Sequence, residues 1–160
     1  MMRSLTAASS EAIRSSQNAR LKDLRRRLSR PGDCGDGLIA IEGEHLLHEA
    51  ARSGLRIDTL FLREDQATKE WQGFDDSLLF TVSADAFNHA CATESPQGIA
   101  ALVEAPRWTF DSLLHTDNPR FVVLAGLQDP GNVGTIIRTA EAFGATGVLL
   151  TPGSVNPFGP

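Results

Sequence analysis

Residues 121–150 constrain the fold of this chain more than any other segment. Residues 121–127 form the longest run of apolar residues and glycine in the 160-residue sequence, and no polar residue interrupts it. Such a run is typical of a parallel strand that is covered on both faces. A turn, a stretch of helical periodicity, Gly144 and a second apolar run at residues 147–150 follow. This order predicts one βαβ unit, whose helix buries Val133, Ile136, Ile137, Ala140 and Phe143.

The rest of the chain alternates short apolar runs with segments of helical periodicity. The pattern predicts strands at residues 38–41, 57–62, 78–82 and 98–103, and helices at residues 17–29, 44–53, 66–71 and 83–89, the last with Ser83 as its N-cap. Alternating strands and helices favour an α/β fold over a helix bundle or a β-sandwich. A connector containing Pro and Asp separates two expected domains, at residues 1–105 and 120–160, with residues 106–119 as the linker.

Composition excludes several classes of protein. The apolar run is far shorter than the roughly 18 residues that a membrane helix needs, which excludes an integral membrane protein. Cys34 and Cys91 have no close Cys or His partner at zinc-ligand spacing, and the His45–His48 pair matches neither common zinc-helix signature. We therefore expect no metal. The N-terminus lacks the apolar run of a secretory signal, so we expect a cytoplasmic protein.

The net charge of −5 conceals an asymmetry along the chain. Residues 1–30 contain eight Lys or Arg and two acidic residues, whereas the remainder contains seven Lys or Arg and eighteen acidic residues. Leucines at three- and four-residue spacing predict an amphipathic helix in the basic part, with Arg20, Arg25, Arg26 and Arg27 largely off its apolar stripe. Arginine forks suit phosphate, so these side chains allow a helix that contacts a nucleic-acid backbone, but composition alone favours a solvated helix face.

Arg138 and Asn132 are the candidate functional residues of the βαβ unit. On a helical wheel Arg138 lies nearly opposite the apolar stripe, with Thr135 and Glu141 within reach. Periodicity alone allows either a functional arginine or a surface arginine paired with Glu141, and Asn132 is either a functional residue or a helix cap. The glycine-containing loop at residues 126–134 matches neither a Walker phosphate loop nor a dinucleotide fingerprint.

Four segments resemble a known family. Residues 126–144, Gly-Leu-Gln-Asp-Pro-Gly-Asn-Val-Gly-Thr-Ile-Ile-Arg-Thr-Ala-Glu-Ala-Phe-Gly, are similar to the first motif of the SpoU/TrmH family of RNA 2′-O-ribose methyltransferases, in the SPOUT superfamily. Residues 42–50 resemble the family's Glu-Gly-x-x-Leu-x-x-Glu-Ala segment, residues 95–100 its Pro-Gln-Gly-Ile strand, and residues 16–24 its start. The resemblance covers nearly the whole chain from about residue 15.

The resemblance implies a fold, a reaction and the residues that carry it. The fold is an N-terminal α/β RNA-binding domain similar to ribosomal proteins that bind kinked RNA, followed by a trefoil-knotted methyltransferase domain. The family transfers a methyl group from S-adenosylmethionine to ribosomal or transfer RNA, and its members form homodimers. By position in the first motif, Arg138 matches the catalytic arginine and Asn132 its partner asparagine.

The resemblance also predicts what this chain lacks. Residues 153–160 are similar to the stretch after the second strand of the methyltransferase domain, and the family's second and third motifs have no counterpart here. We therefore expect an inactive fragment in which cofactor-binding residues are not identifiable and which neither binds S-adenosylmethionine nor methylates RNA. A non-catalytic RNA-binding module and a small nucleotide-binding α/β protein are the alternatives.

Overall fold

A computed structural model describes residues 4–5, 12–30, 36–66, 71–72, 79–91, 93 and 95–157 of the chain. It divides into two compact units, residues 1–106 and residues 107–160. The fold is mixed α/β, as the alternating pattern predicts. The described residues contain no helix that is both long enough and apolar enough to cross a lipid bilayer.

The described strands of the first unit are β1 (Ser4–Leu5), β2 (Leu38–Glu42), β3 (Ile57–Arg63), β4 (Trp71–Gln72), β5 (Leu79–Val82) and β6 (Ile99–Glu104). Among the described residues they form two sheets: a small antiparallel sheet pairs β1 with β4, and the main sheet has the order β2-β6-β3-β5. In the main sheet β6 runs antiparallel to both of its neighbours, whereas β3 and β5 are parallel.

Helices α1 (Ala19–Leu28), α2 (Glu44–Arg52) and α3 (Ala84–Ala90) complete this unit. Strand alternation sends successive side chains to opposite faces of the main sheet, which produces two cores. Phe61 of β3 packs in one core with residues of α1 and α3, whereas its neighbour Leu60 packs in the other with residues of α2.

One local prediction in this unit disagrees with the structure at the residues it describes. At the two ends of the helix expected at residues 66–71, Glu64–Gln66 form a 3₁₀ turn and Trp71–Gln72 a strand; residues 67–70 lie outside the described part. Ser83 occupies the N-cap position of α3, as predicted, although its side chain forms no capping hydrogen bond.

The second unit contains α4 (Phe110–Leu114), β7 (Phe121–Leu124), α5 (Pro130–Ala142) and β8 (Gly147–Leu150). Strands β7 and β8 are parallel and adjacent, with α5 between them in sequence, so the predicted βαβ unit is confirmed. Strand β7 ends three residues before the apolar run does, and Gly126 then adopts a φ of +63°, a left-handed conformation that glycine tolerates. Helix α4 lies inside the segment expected to be a linker.

Burial in the second unit is one-sided. Leu124, Val133 and Ala140 are buried, but Val123 of β7 is 59% exposed, so the expectation of a strand covered on both faces is wrong for the described residues. Phe143, expected in the buried stripe, is 79% exposed because it follows the last residue of α5 as its C-cap.

Candidate functional site

The first turn of α5 is organised by Asp129. Its Oδ1 accepts a hydrogen bond of 2.7 Å from the backbone N–H of Asn132, and Pro130 occupies the first helical position. Asp129 is therefore the N-cap, and the cap interpretation of Asn132 is wrong. The Asn132 side chain is exposed and forms no hydrogen bond within the described residues, so its amide is available to a ligand.

The guanidinium of Arg138 lies back along α5, toward the first turn. Its Nη2 donates a hydrogen bond of 3.3 Å to Oγ1 of Thr135. Its Nη1 lies 3.5 Å from the position that a Cβ on Gly134 would occupy. In the part of the chain that the structure describes, Arg138 has no carboxylate partner, so the alternative of a surface arginine paired with Glu141 is not supported. A guanidinium near a helix N-terminus adds its charge to that of the helix dipole, which favours an anionic ligand.

The loops after β7 and β8 are joined beside this turn. The Gly126 N–H donates to Oγ1 of Thr151 at 3.2 Å, and the Val155 N–H donates to the Leu127 carbonyl at 2.8 Å. In parallel sheets the carboxyl ends of strands and the helix N-termini lie on the same edge, where α/β proteins bind ligands. Asn132 and Arg138 therefore extend from the edge of the unit that is best suited to binding.

Helix α1 presents a basic face. Arg20, Arg25 and Arg26 are exposed, as the periodicity predicts. The Arg20 guanidinium lies 4.5 Å from the centroid of the Phe80 ring, a cation–π contact. A shallow groove along the helix is lined by Lys22, Arg25, Arg26, Ser29 and Arg30. This concentration of cationic side chains suits a polyanion.

Arg27 differs from the other arginines of α1. Its side chain is only 4% exposed. Its Nε donates to Oδ2 of Asp23 at 2.9 Å, its Nη1 donates to Oδ1 of Asp36 and to the Leu38 carbonyl, and its Nη2 donates to Oδ2 of Asp36. The structure thus corrects the sequence prediction for this residue, because Arg27 connects α1 to the start of β2 and does not face solvent.

The two resemblance segments of the first unit, residues 42–50 and 95–100, contact each other. The Gly43 N–H donates to the Ile99 carbonyl at 2.9 Å, and the Glu44 N–H donates to Oε1 of Gln97 at 3.3 Å. Gly43 adopts a φ of +101°, and a Cβ there would lie 3.0 Å from the same Gln97 oxygen. The motif glycine therefore permits both the backbone turn and the approach of Gln97.

A buried thiol lies near these segments but has no reactive surroundings. Desolvation by burial, together with the negative charge of Glu42, raises the pKa of Cys91 to about 12. A thiol with so high a pKa is a poor nucleophile at neutral pH. Over the described ranges no three His, Cys, Asp or Glu side chains gather as metal ligands.

Sequence reasoning missed three residues of these sites. Asp129 precedes Pro130, a spacing that marks an N-cap and could have been recognised. Thr135 and Glu141 are both three residues from Arg138, so spacing alone does not identify Thr135 as the hydrogen-bond partner. The partnership of Arg27 with Asp36 had no local signal, because residue 36 lies beyond the end of the helix in a turn-rich loop.

Comparison with known proteins identifies the class to which this arrangement belongs. Residues 119–160 match the SpoU rRNA Methylase family, and residues 18–101 match the MRM3-like substrate binding domain. The chain therefore belongs to the SpoU family of RNA methyltransferases, with a substrate-binding unit followed by methylase sequence.

Its relatives include proteins named as rRNA methyltransferases. The chain is 31% identical over 91% of its length to the 23S rRNA (guanosine(2553)-2′-O)-methyltransferase RlmP of Bacillus subtilis, and spans 56% of that protein. It is 31% identical over 82% of its length to the mitochondrial rRNA methyltransferase 3 of Mus musculus, of which it spans 33%. The AdoMet-bound rRNA methyltransferase of Sinorhizobium meliloti superposes with a TM-score of 0.69 and 25% identity, over 92% of this chain and 57% of that one.

Proposed function

We propose that this chain forms the RNA-binding unit and the first catalytic motif of a ribosomal RNA 2′-O-ribose methyltransferase. The observation that supports it most directly is the Arg138 guanidinium, which lies beside Gly134 and Thr135 in the second turn of α5, without a carboxylate partner in the described residues. The relatives named as rRNA methyltransferases favour ribosomal over transfer RNA. A cytoplasmic location and homodimerisation belong to the same proposal.

Arg138 acts on the RNA as a cation and a hydrogen-bond donor. Arginine stays protonated at physiological pH, so it is unsuited to removing the proton of a ribose hydroxyl. Its planar fork matches a phosphate oxygen pair, and its charge stabilises an alkoxide that develops on the neighbouring 2′ oxygen. Asn132 lies one turn before Thr135 on the exposed side of the helix start, where its amide is available to orient the same nucleotide.

S-adenosylmethionine would supply the methyl group in such a reaction. A Cβ placed on Gly126 or on Gly153 would meet no atom within 4 Å, so neither glycine marks a closely packed cofactor contact. We therefore assign no cofactor contact to this chain. The chain spans about half the length of its bacterial relative, and the activity is proposed for the intact protein.

The substitution Arg138→Lys tests the catalytic part of the proposal. Lysine retains the charge but loses the fork, so we expect methylation of ribosomal RNA by the intact protein to fall by at least about 100-fold. Binding of S-adenosylmethionine, measured by calorimetry, should remain unchanged. A variant that keeps wild-type turnover, or one that loses cofactor affinity in parallel with activity, would contradict the role proposed for Arg138.

The basic face of α1 is the proposed RNA contact of the first unit. Replacing Arg25 and Arg26 with Ala should weaken RNA binding and lower its dependence on salt, because each phosphate contact releases counterions. Arg20 belongs to the same face. The matched control replaces Arg52 and Arg56 with Ala and so removes the same number of charges; these side chains are 78% and 71% exposed and are paired with Glu49 and Glu104. Equal losses in both variants would show that net charge, and not this face, determines binding.

A further inference from the structure

We propose that Thr135 is a positioning residue that keeps the Arg138 guanidinium directed back along α5, beside Gly134 in the second turn. The proposal rests on the function proposed above for Arg138. It follows from the direction of two hydrogen bonds that share the Thr135 hydroxyl, and from a second threonine on the same helix that makes only one of them.

The Gly131 carbonyl orients the Thr135 hydroxyl independently of Arg138. Oγ1 of Thr135 donates its single hydrogen to the Gly131 carbonyl at 2.8 Å. A hydroxyl oxygen that donates its hydrogen to one partner still has a lone pair that can accept a hydrogen bond from another. That lone pair accepts from Nη2 of Arg138 at 3.3 Å. The first-turn carbonyl of Gly131 thereby sets the direction from which the guanidinium is held.

This contact matters because no other hydrogen bond or ion pair holds the Arg138 side chain within the described residues. Arg138 is exposed, and an exposed arginine loses much rotamer freedom when it is fixed in one place. The hydrogen bond to Thr135 uses one of the five N–H donors of the Arg138 guanidinium, which leaves the remaining donors for a substrate phosphate. Gly134, with no side chain, leaves space for Nη1 on the same turn.

Thr139 provides a control within the same helix. Its Oγ1 donates to the Thr135 carbonyl at 2.8 Å, the same bond to the residue four positions earlier that Thr135 makes with Gly131. Thr139 is also exposed, and no hydrogen bond joins it to Arg138 in the described part of the chain. Replacement by Val therefore has the same effect on the helix at both positions, but removes the arginine contact only at Thr135.

The test compares Thr135→Val, Thr135→Ser and Thr139→Val in the intact protein. We expect Thr135→Val to lower kcat for RNA methylation about tenfold, the value of one charge-assisted hydrogen bond, with KM for RNA changed less than about twofold. Thr135→Ser should restore kcat because it keeps the hydroxyl, and Thr139→Val should behave as wild type. Equal effects of the two Val variants, or no rescue by Ser, would overturn the proposal.

A second readout separates this proposal from the function on which it rests. Relaxation of the Arg138 Nε–H group in ¹⁵N NMR reports the order of the side chain without any turnover. Increased mobility in Thr135→Val but not in Thr139→Val supports positioning, and unchanged mobility in both refutes it. Wild-type turnover in Arg138→Lys, in contrast, refutes the catalytic role whichever result the NMR measurement produces.

Discussion

Arg26 and Arg27 are adjacent on α1 and both bond to Asp23, yet the structure predicts opposite consequences for their substitution. Arg26 is 50% exposed in its side chain, whereas Arg27 is 4% exposed and also bonds to Asp36 and to the Leu38 carbonyl. Substitution of each by Met keeps the aliphatic stem and removes the guanidinium. The pair therefore separates a structural arginine from one that is available to RNA.

The cost of Arg27→Met follows from its partners. Asp36 is 54% exposed and Asp23 33%, so both carboxylates regain water when Arg27 is replaced. Loss of the Asp23 ion pair contributes at most about 1 kcal/mol. The Leu38 carbonyl, half-buried at the start of β2, loses a charge-assisted hydrogen bond, which lowers stability by about a further 1 kcal/mol. The total of about 2 kcal/mol lowers Tm by about 10 °C in a unit of this size.

Thermal unfolding followed by circular dichroism measures the difference. Arg26→Met should change stability by less than about 0.5 kcal/mol, because its ion pair is solvated. RNA affinity, measured well below Tm, should show the reverse order. Arg26→Met should bind RNA more weakly than wild type, whereas the affinity of Arg27→Met should be close to that of wild type. If Arg27→Met melts with the wild type, or loses RNA affinity as Arg26→Met does, the assignment of Arg27 to the fold is refuted.

Three further predictions concern single groups. With Cys34 replaced by Ser, Cys91 should react with a thiol reagent at pH 8 only at the rate of unfolding, since burial raises its pKa to about 12; rapid labelling of the folded protein would contradict this. The Arg27 hydrogen bond lowers the pKa of Asp36. The folding stability that this bond contributes is therefore present above about pH 4 and is lost as acid protonates the Asp36 carboxylate. The Tm difference between wild type and Asp36→Asn should accordingly narrow below that pH, and a constant difference would count against the pairing. Asp129→Ala should cost about 1 kcal/mol and speed hydrogen exchange of the Asn132 amide, whereas Asp129→Ser should not.

The βαβ unit shows which structural features a local sequence pattern predicts and which it does not. An apolar run, a helical stripe and Gly144 predicted both strands, the helix and their parallel pairing, because each signal follows from the period of one element. The same pattern overestimated burial at Val123 and Phe143, since periodicity reports which face a side chain occupies and not what covers that face. The helix predicted at residues 66–71 disagrees with the structure at its two described ends, Gln66 and Trp71.

The candidate site divides in the same way. Arg138 and Asn132 were recognisable from motif spacing, and the exposed arginines of α1 from their place on a helical wheel. The hydrogen-bond partners were not recognisable, because Thr135 and Glu141 are equally spaced from Arg138 in sequence and only side-chain direction favours Thr135. Helical side chains point toward the N-terminus, so a long arginine contacts the earlier residue.

The sequence by itself determined the α/β class, the basic helix and the identity of the motif residues, because these depend on residue type and on spacing within single elements. Tertiary structure alone decided that Arg27 is buried while Arg26 is exposed, and that the segments around Gly43 and Gln97 meet. Those outcomes depend on the path of the chain between elements. A hydrogen bond from Arg27 to Asp36 requires the loop to return to α1, and no period in the sequence encodes that return.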